Sequence, residues 1–334
     1  MASDRGVSYQ ASAMRAGRTN MRVGLTGASS DLGCLLMPKL LADEQIAEIV
    51  VFDVARQVGL PERVKFVRLD LLRPGAEADL ERQLSEARLD AFFHLAFVNS
   101  RVHRAAFAHE LEVIGTLHLL AAVGAVKVRR LIVPSLTVLY GARPNAPAYL
   151  TESAPLHPVQ GIRFVSDRVE VERQLAEFSD RFPEVEVLTL RFAPIVGPTS
   201  NNPFTRLVRT KLIPTVMGFD PLWQVIHEED AARALHLALH TKARGVFNVV
   251  GEGVAPVSSL LLAAGAMPLP MPGPILRSAI AAMEAASLPA SPWALMDFFR
   301  YTWLADGRRA ARELHFLPHV PAHEAMASMR ERRT

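Results

Sequence analysis

Short apolar runs alternate with segments of helical period along the first 250 residues. Val23 and Leu25 lead into Thr26-Gly27, and helix-like sequence follows from Cys34 to Leu41. Ile49-Val50-Val51-Phe52 is a second apolar run, closed by Asp53. Arg63 to Leu69 alternates polar and apolar positions as a strand does and stops at Asp70-Leu71. A helix is predicted over 76–87, a buried strand over 90–95 closed by His94-Leu95-Ala96-Phe97, and a helix over 105–123. Arg130 to Pro134 is the next strand, running into Ser135-Leu136-Thr137-Val138-Leu139-Tyr140-Gly141. Strict strand–helix alternation predicts an α/β fold with a doubly wound parallel sheet and right-handed crossovers.

The second half repeats the alternation less regularly. A polar, Pro-rich loop spans 145–161, and Phe164 to Phe178 is helical with Val169, Val171, Leu175 and Phe178 on one side. A strand over 185–191 precedes a loop over 193–203 rich in Pro, Gly, Ser and Asn. A short strand at 222–227 leads into Glu228-Glu229-Asp230, acids suited to open a helix reaching His240. A last short strand is predicted over 245–250, and the rest reads as mainly helical, with prolines clustered over 267–274 and no second sheet. The expected organisation is a flexible tail over 1–20, a nucleotide-binding core over 21–191, and a mixed lobe over 192–330 to which 222–250 contributes returning core elements. Such a lobe would lie across the strand ends, where clefts form in these folds.

Composition narrows the function classes. The 334 residues are half hydrophobic and one fifth charged, with 37 basic against 34 acidic side chains. No Lys/Arg stripe is interleaved with aromatics, so a nucleic-acid partner is not expected. Cys34 is the single cysteine, which excludes an internal disulfide. The tail lacks the apolar core of a secretory signal, and no run of eighteen apolar residues is seen, so a cytoplasmic protein without a membrane span is expected. The stretch 274–287 comes nearest and is interrupted by Arg277 and Glu284.

The candidate chemistry starts at Met21 to Gly33, which has the order strand, glycine turn, helix start. A helix N-terminus offers unpaired amides and the positive end of the helix dipole, which suits a pyrophosphate. Ser30 stands where the middle glycine of Gly-x-x-Gly-x-x-Gly would be. Asp53 lies twenty residues after Gly33, a spacing at which an acid accepts bonds from an adenosine ribose and repels a 2′-phosphate. These features predict a Rossmann-like dinucleotide site that takes NAD in preference to NADP, with Arg56 the one residue that speaks for NADP. Asp70, ending its strand, is placed to meet an adenine amino group.

The ordered set of motifs resembles the NAD-dependent epimerase/dehydratase family of extended short-chain dehydrogenase/reductases. The resemblance rests on Thr26 to Gly33, Asp53, Asp70-Leu71, His94 to Phe97, Tyr140-Gly141, Arg191 to Pro194, Gly197-Pro198, Ile226 to Ala234 and Phe247 to Gly251, and covers Met21 to about Ala325. It implies a cofactor site at Gly27, Ser30, Asp31, Leu32, Gly33, Asp53, Asp70, Leu71, Leu95, Ala96 and Phe97. It also implies a homodimer paired through the helices 105–123 and 164–178.

The family's catalytic set is a tyrosine that moves a proton, a lysine four residues on, a Ser/Thr that orients substrate, and an asparagine. At the matching positions this chain has Phe164, Arg168, Leu136 and Glu112. Phenylalanine has no proton to give, and arginine's fork does not replace an ammonium. The resemblance therefore implies an NAD-binding protein with reduced or lost Tyr/Lys redox chemistry, acting as a sensor, a scaffold or an inactive partner. The alternative is an active oxidoreductase or epimerase with a relocated acid/base, for which Ser135, Thr137 and Tyr140 are the candidates. A third reading has Ser30 blocking the turn and NAD binding lost. On the substrate side, Trp223-Gln224 replace an Arg-Asp pair and Pro194 replaces an asparagine, leaving an apolar pocket of Trp223, Phe204, Met217 and Phe298 as one option. His236 and His240 share a helix face, but Leu237 stands where a zinc protease carries its glutamate and no third ligand is near in sequence, so no metal site is expected. His227 reads as structural.

Overall fold

The structure, a computed structural model, describes residues 20–56, 59–97, 105–157, 162–285 and 293–331. All of the expected tail but Asn20 lies outside them. Seven strands form one sheet: β1 (Met21–Thr26), β2 (Ile46–Asp53), β3 (Val64–Arg68), β4 (Ala91–His94), β5 (Arg130–Leu136), β6 (Glu186–Phe192) and β7 (Gly245–Val249). Their order is β7-β6-β5-β4-β1-β2-β3, and every pair is parallel. Both sheet faces are covered, which is why β4 and most of β1 and β5 read as continuous apolar runs rather than alternating ones.

Helices α1 (Asp31–Ala42) and α7 (Glu228–His240) cover one face, and the short α6 (Pro203–Val208) lies in the lobe. Leu36, Met37 and Leu40 from α1 pack there with Ala231, Leu235 and Leu239 from α7. The other face is covered by α2 (Ala76–Ala87), α4 (Gly115–Val126) and α5 (Arg163–Arg181), through Leu80, Leu84, Leu119, Val123, Leu175 and Phe178. The chain order reverses between β1 and β4, so their carboxyl ends open the crevice in which such folds bind ligands.

Three expectations need correction. The helix expected over 105–123 is α3 (Ala105–His109), a π-turn over Glu110–Ile114, and α4. The wider π-turn carries Glu112, which is buried. The stretch Phe107–Val126 is long and apolar enough to cross a membrane, but half of it is buried within this fold. The single strand expected at 222–227 is two short ones, Leu222–Trp223 and Ile226–His227.

The carboxyl-terminal third does build further sheet. Met267–Met271 pairs in parallel with Leu212–Val216, from Met267 opposite Leu212 to Met271 opposite Val216. Its prolines, Pro268 and Pro270, alternate with residues that keep their N–H, so one strand edge can still bond while the other cannot. Beneath these strands a second core gathers Trp223, Val225, Leu260, Leu261, Phe299, Trp303 and Met326.

Candidate active site

The carboxyl ends of the central strands place the predicted residues side by side. Thr26 is paired with Phe52 on one side and with His94 on the other. Leu136 is paired with Phe192. Gly27, Asp53, Leu95 to Phe97 and Ser135 to Thr137 therefore follow these pairings along one edge of the sheet.

At the turn, Gly27 has φ +66°. A Cβ there would lie 2.4 Å from the carbonyl carbon and oxygen of Leu95, and a Cβ on Gly33 would lie 2.3 Å from the Gly27 oxygen. The glycines thus let α1 close on β1 and β4; the space they leave is filled by backbone, not held open for a ligand. Ser30 has φ −69° and ψ 161°, so its position needs no glycine. It caps α1 with its hydroxyl, accepting from the Gly33 amide at 3.1 Å. The following amides of Asp31 and Leu32 have no protein partner among the described residues. The Asp31 carboxylate is drawn aside, accepting from the Asn201 amide at 2.9 Å.

Asp53 accepts from the Val54 amide at 2.8 Å. Burial pushes its pKa up, against the bonds from Val54 and Ser29. Two carboxylate oxygens offer about four acceptor sites, so capacity for a ribose remains. Asp70 is exposed and closes its own turn, accepting from the Leu72 amide at 3.0 Å. Leu71, Leu95 and Phe97 are buried, and Ala96 is partly so.

Two of the positions expected to be catalytic, Arg168 and Glu112, form an ion pair. The Arg168 Nε lies 3.0 Å from Glu112 Oε2, with both side chains buried. Arg168 also donates to the Pro134 carbonyl at 3.2 Å and lies over the Phe97 ring, 3.5 Å from its centroid. Burial pulls the guanidinium below its ordinary pKa, and the Glu112 charge opposes that shift. Phe164 sits in the first turn of α5, about one third exposed. Leu136 ends β5 and is partly buried.

The three expected substitutes are enclosed. Ser135 donates to Glu172 at 2.5 Å, and Thr137 is buried in the turn after β5. The Tyr140 hydroxyl donates to Asn248 Oδ1 at 2.8 Å and accepts from Arg191 at 2.7 Å. Its ring is fully buried, and burial pushes its pKa up. Arg191 forks onto Glu172 through bonds of 2.9, 3.1 and 2.5 Å. One network therefore ties β5, β6, β7 and α5 together. The sequence displays its members as separate motifs and does not reveal their mutual contact.

His94 is another residue whose role lies in its surroundings. Thr26 Oγ1 is 2.8 Å from its Nδ1, and Thr116 Oγ1 is 3.0 Å from its Nε2. Thr116 spends its only proton on the Glu112 carbonyl. The Nε2 must then carry the imidazole proton and Nδ1 must accept from Thr26. Burial, with the Arg168 charge, pushes the His94 pKa down to about 3. An unfolded chain would bind this proton near pH 6.5 while the native one excludes it. Stability is therefore complete above pH 6.5 and should fall by about 1.4 kcal/mol per pH unit as the pH drops toward 3. Urea titrations at pH 6.5 and 5.0 check this, with His94→Gln expected to lose that slope.

A model of the NAD dependent epimerase/dehydratase family matches residues 23–250. The chain belongs to that family. A protein of Mycobacterium tuberculosis, itself named only as uncharacterised, is 29% identical over 259 residues, spanning 75% of this chain and 67% of that one. Among solved structures, the UDP-glucose 4-epimerase of Thermotoga maritima, with UDP-glucose, superposes with a TM-score of 0.70 at 19% identity, covering 93% of this chain and 98% of that chain. The UDP-glucose 4-epimerase of Thermus thermophilus, in complex with NAD, gives 0.69 at 20% identity over the same shares. Likeness at that identity shows the shared fold.

NAD is the cofactor of this family, and the residues present fit its adenosine and pyrophosphate half. Two unpartnered first-turn amides, a small capping serine and a partly buried carboxylate ending β2 supply the donor and acceptor set. Of the four residues offered for an apolar pocket, two belong to the core. Trp223 and Phe298 are buried in the lobe core, Phe204 packs 5.3 Å from Trp223, and Met217 is exposed. Trp223 donates to the Phe298 carbonyl at 2.7 Å, and Gln224 accepts from the Ala305 amide at 3.0 Å. His227 caps α7 through its Nδ1.

Proposed function

We propose that this chain is an NAD-binding member of its family in which the Tyr/Lys proton relay has been replaced by a structural ion pair. It would serve as a cofactor-dependent sensor, a scaffold or the inactive partner of an active relative. The buried Arg168–Glu112 pair carries the reading. The family's lysine and asparagine positions have changed together to opposite charges that neutralise each other, and Phe164 brings no proton to the site. Bound NAD would supply a hydride acceptor; Asp31 and Leu32 amides would hold its pyrophosphate and Asp53 its adenosine ribose. General acid/base catalysis typically contributes about 10²–10⁴-fold, so a site without a proton carrier should turn over correspondingly slowly.

Calorimetry with NAD and NADH, alongside a turnover panel of carbonyl compounds and sugar nucleotides, tests both halves. Binding is expected, Asp53→Ala should weaken it by about 10- to 100-fold, and no turnover should be seen. Robust turnover would sink the loss of chemistry; absence of binding would sink the NAD site. A homodimer is proposed on separate grounds. Phe107, Ile114 and Leu117 of the α3–α4 stretch and Phe164 of α5 are exposed apolar side chains on the helices expected to pair. Sedimentation equilibrium should give twice the chain mass, and Leu117→Glu should return it to one.

A further inference from the structure

The Asp43, His236 and His240 side chains converge from opposite ends of the sequence. His236 and His240 lie one turn apart on α7, and their rings sit edge to face with centroids 5.0 Å apart. Asp43 is the C-cap of α1, which lies against α7. Its Oδ1 is taken by the Gln45 amide at 2.9 Å. Its Oδ2 lies 2.8 Å from His236 Nε2 and 2.7 Å from His240 Nε2. The three ligand atoms all fall within 4.8 Å of one another.

We propose that Asp43, His236 and His240 form a binding site for a late first-row divalent ion of the Zn²⁺ type, completed by water. Two imidazole nitrogens and one carboxylate oxygen are a ligand set that zinc takes, and hard ions such as Mg²⁺ prefer oxygen alone. The metal would replace the Nε2 protons, which shift to Nδ1 or leave to solvent. Tetrahedral bonds of about 2.0–2.1 Å put neighbouring ligand atoms about 3.3 Å apart, so the two Asp43–histidine distances must open by about half an ångström. Side-chain rotation supplies that. The histidines are 27% and 20% exposed and Asp43 is 9% exposed, so water and an ion reach the site while the carboxylate stays fixed.

The surrounding charge is compatible. Lys39, one turn before Asp43 on α1, is held 3.1 Å from Glu229 of α7, which offsets its charge. The ion would fasten the end of α1 to α7, and α1 begins at the cofactor turn. The site lies outside the family reading of the crevice and does not depend on it.

The test uses the untagged full chain, since a histidine tag would bind the same ion. Calorimetry with Zn²⁺ should show one ion per chain, with Mg²⁺ silent. His236→Gln and His240→Gln should each lose at least tenfold in affinity, while Cys34→Ser keeps it. Zn²⁺ should raise the melting temperature of the parent protein and not of the variants. Should a variant fail to fold, the Co²⁺ form of the parent decides. A visible d–d band without a thiolate charge-transfer band supports the site, and a thiolate band or none overturns it. Unsaturable Zn²⁺ uptake, or equal uptake by folded histidine variants, also overturns it.

Discussion

Arg168→Ala should lose about 3–5 kcal/mol of stability in urea denaturation. The substitution takes the Arg168 charge away from the buried Glu112 carboxylate and strips the Pro134 carbonyl of a donor. It also removes the guanidinium from the face of Phe97. The double variant Glu112→Leu/Arg168→Met should recover most of this loss, or exceed the parent by about 1–4 kcal/mol, because replacing a buried pair by apolar groups removes its desolvation cost. A loss below about 1 kcal/mol in the single variant would show that the pair is not sealed from water. The result bears on function. If the two charges are needed mainly by each other, the crevice has exchanged a proton relay for a strut. NAD affinity, set at the other end of the cofactor by Asp53 and the α1 amides, should then change little in the double variant.

Gly27→Ala should cost about 2–5 kcal/mol and lower NAD affinity at least tenfold. The left-handed backbone at φ +66° contributes about 1–2 kcal/mol of that for a side-chain-bearing residue. Overpacking adds about 1–3 kcal/mol, since the new methyl would sit 2.4 Å from the Leu95 backbone, which cannot step aside as a flexible side chain can. Relief requires β1 and β4 to part at their carboxyl ends, where the cofactor crevice lies. Ser30→Gly is the contrasting change. It loses a hydroxyl cap from a position with ordinary φ, so the expected cost is only a few tenths of a kcal/mol. Equal effects of the two would contradict the packing described at this turn.

The sheet was legible because parallel strands covered on both faces must be apolar throughout, and the helices between them must show a 3.6-residue period. The NAD cofactor was legible for a related reason. A strand, a glycine turn and an acid ending the next strand are local features whose spacing survives folding. Gly27 was expected to give a phosphate access, and its missing Cβ makes room for the Leu95 backbone. The strand Met267–Met271 was not legible. Its alternate prolines argue against a strand until a partner occupies only the edge that still has N–H groups.

Residue order was enough to read the succession of strands and helices and the family. What the residues at the expected catalytic positions touch emerges only in three dimensions. Glu112 and Arg168 are 56 residues apart and neutralise each other because the π-turn and α5 bring them within 3.0 Å in a place that excludes water. Tyr140, a plausible proton carrier by composition, is enclosed because Arg191 and Asn248 arrive from the two neighbouring strands to take both sides of its hydroxyl. Asp43 joins His236 and His240 across more than 190 residues because α1 and α7 cover the same face of the sheet. Local pattern fixes elements through backbone geometry and burial; pairing between distant charges depends on which elements share a face, and that is set by the packed whole.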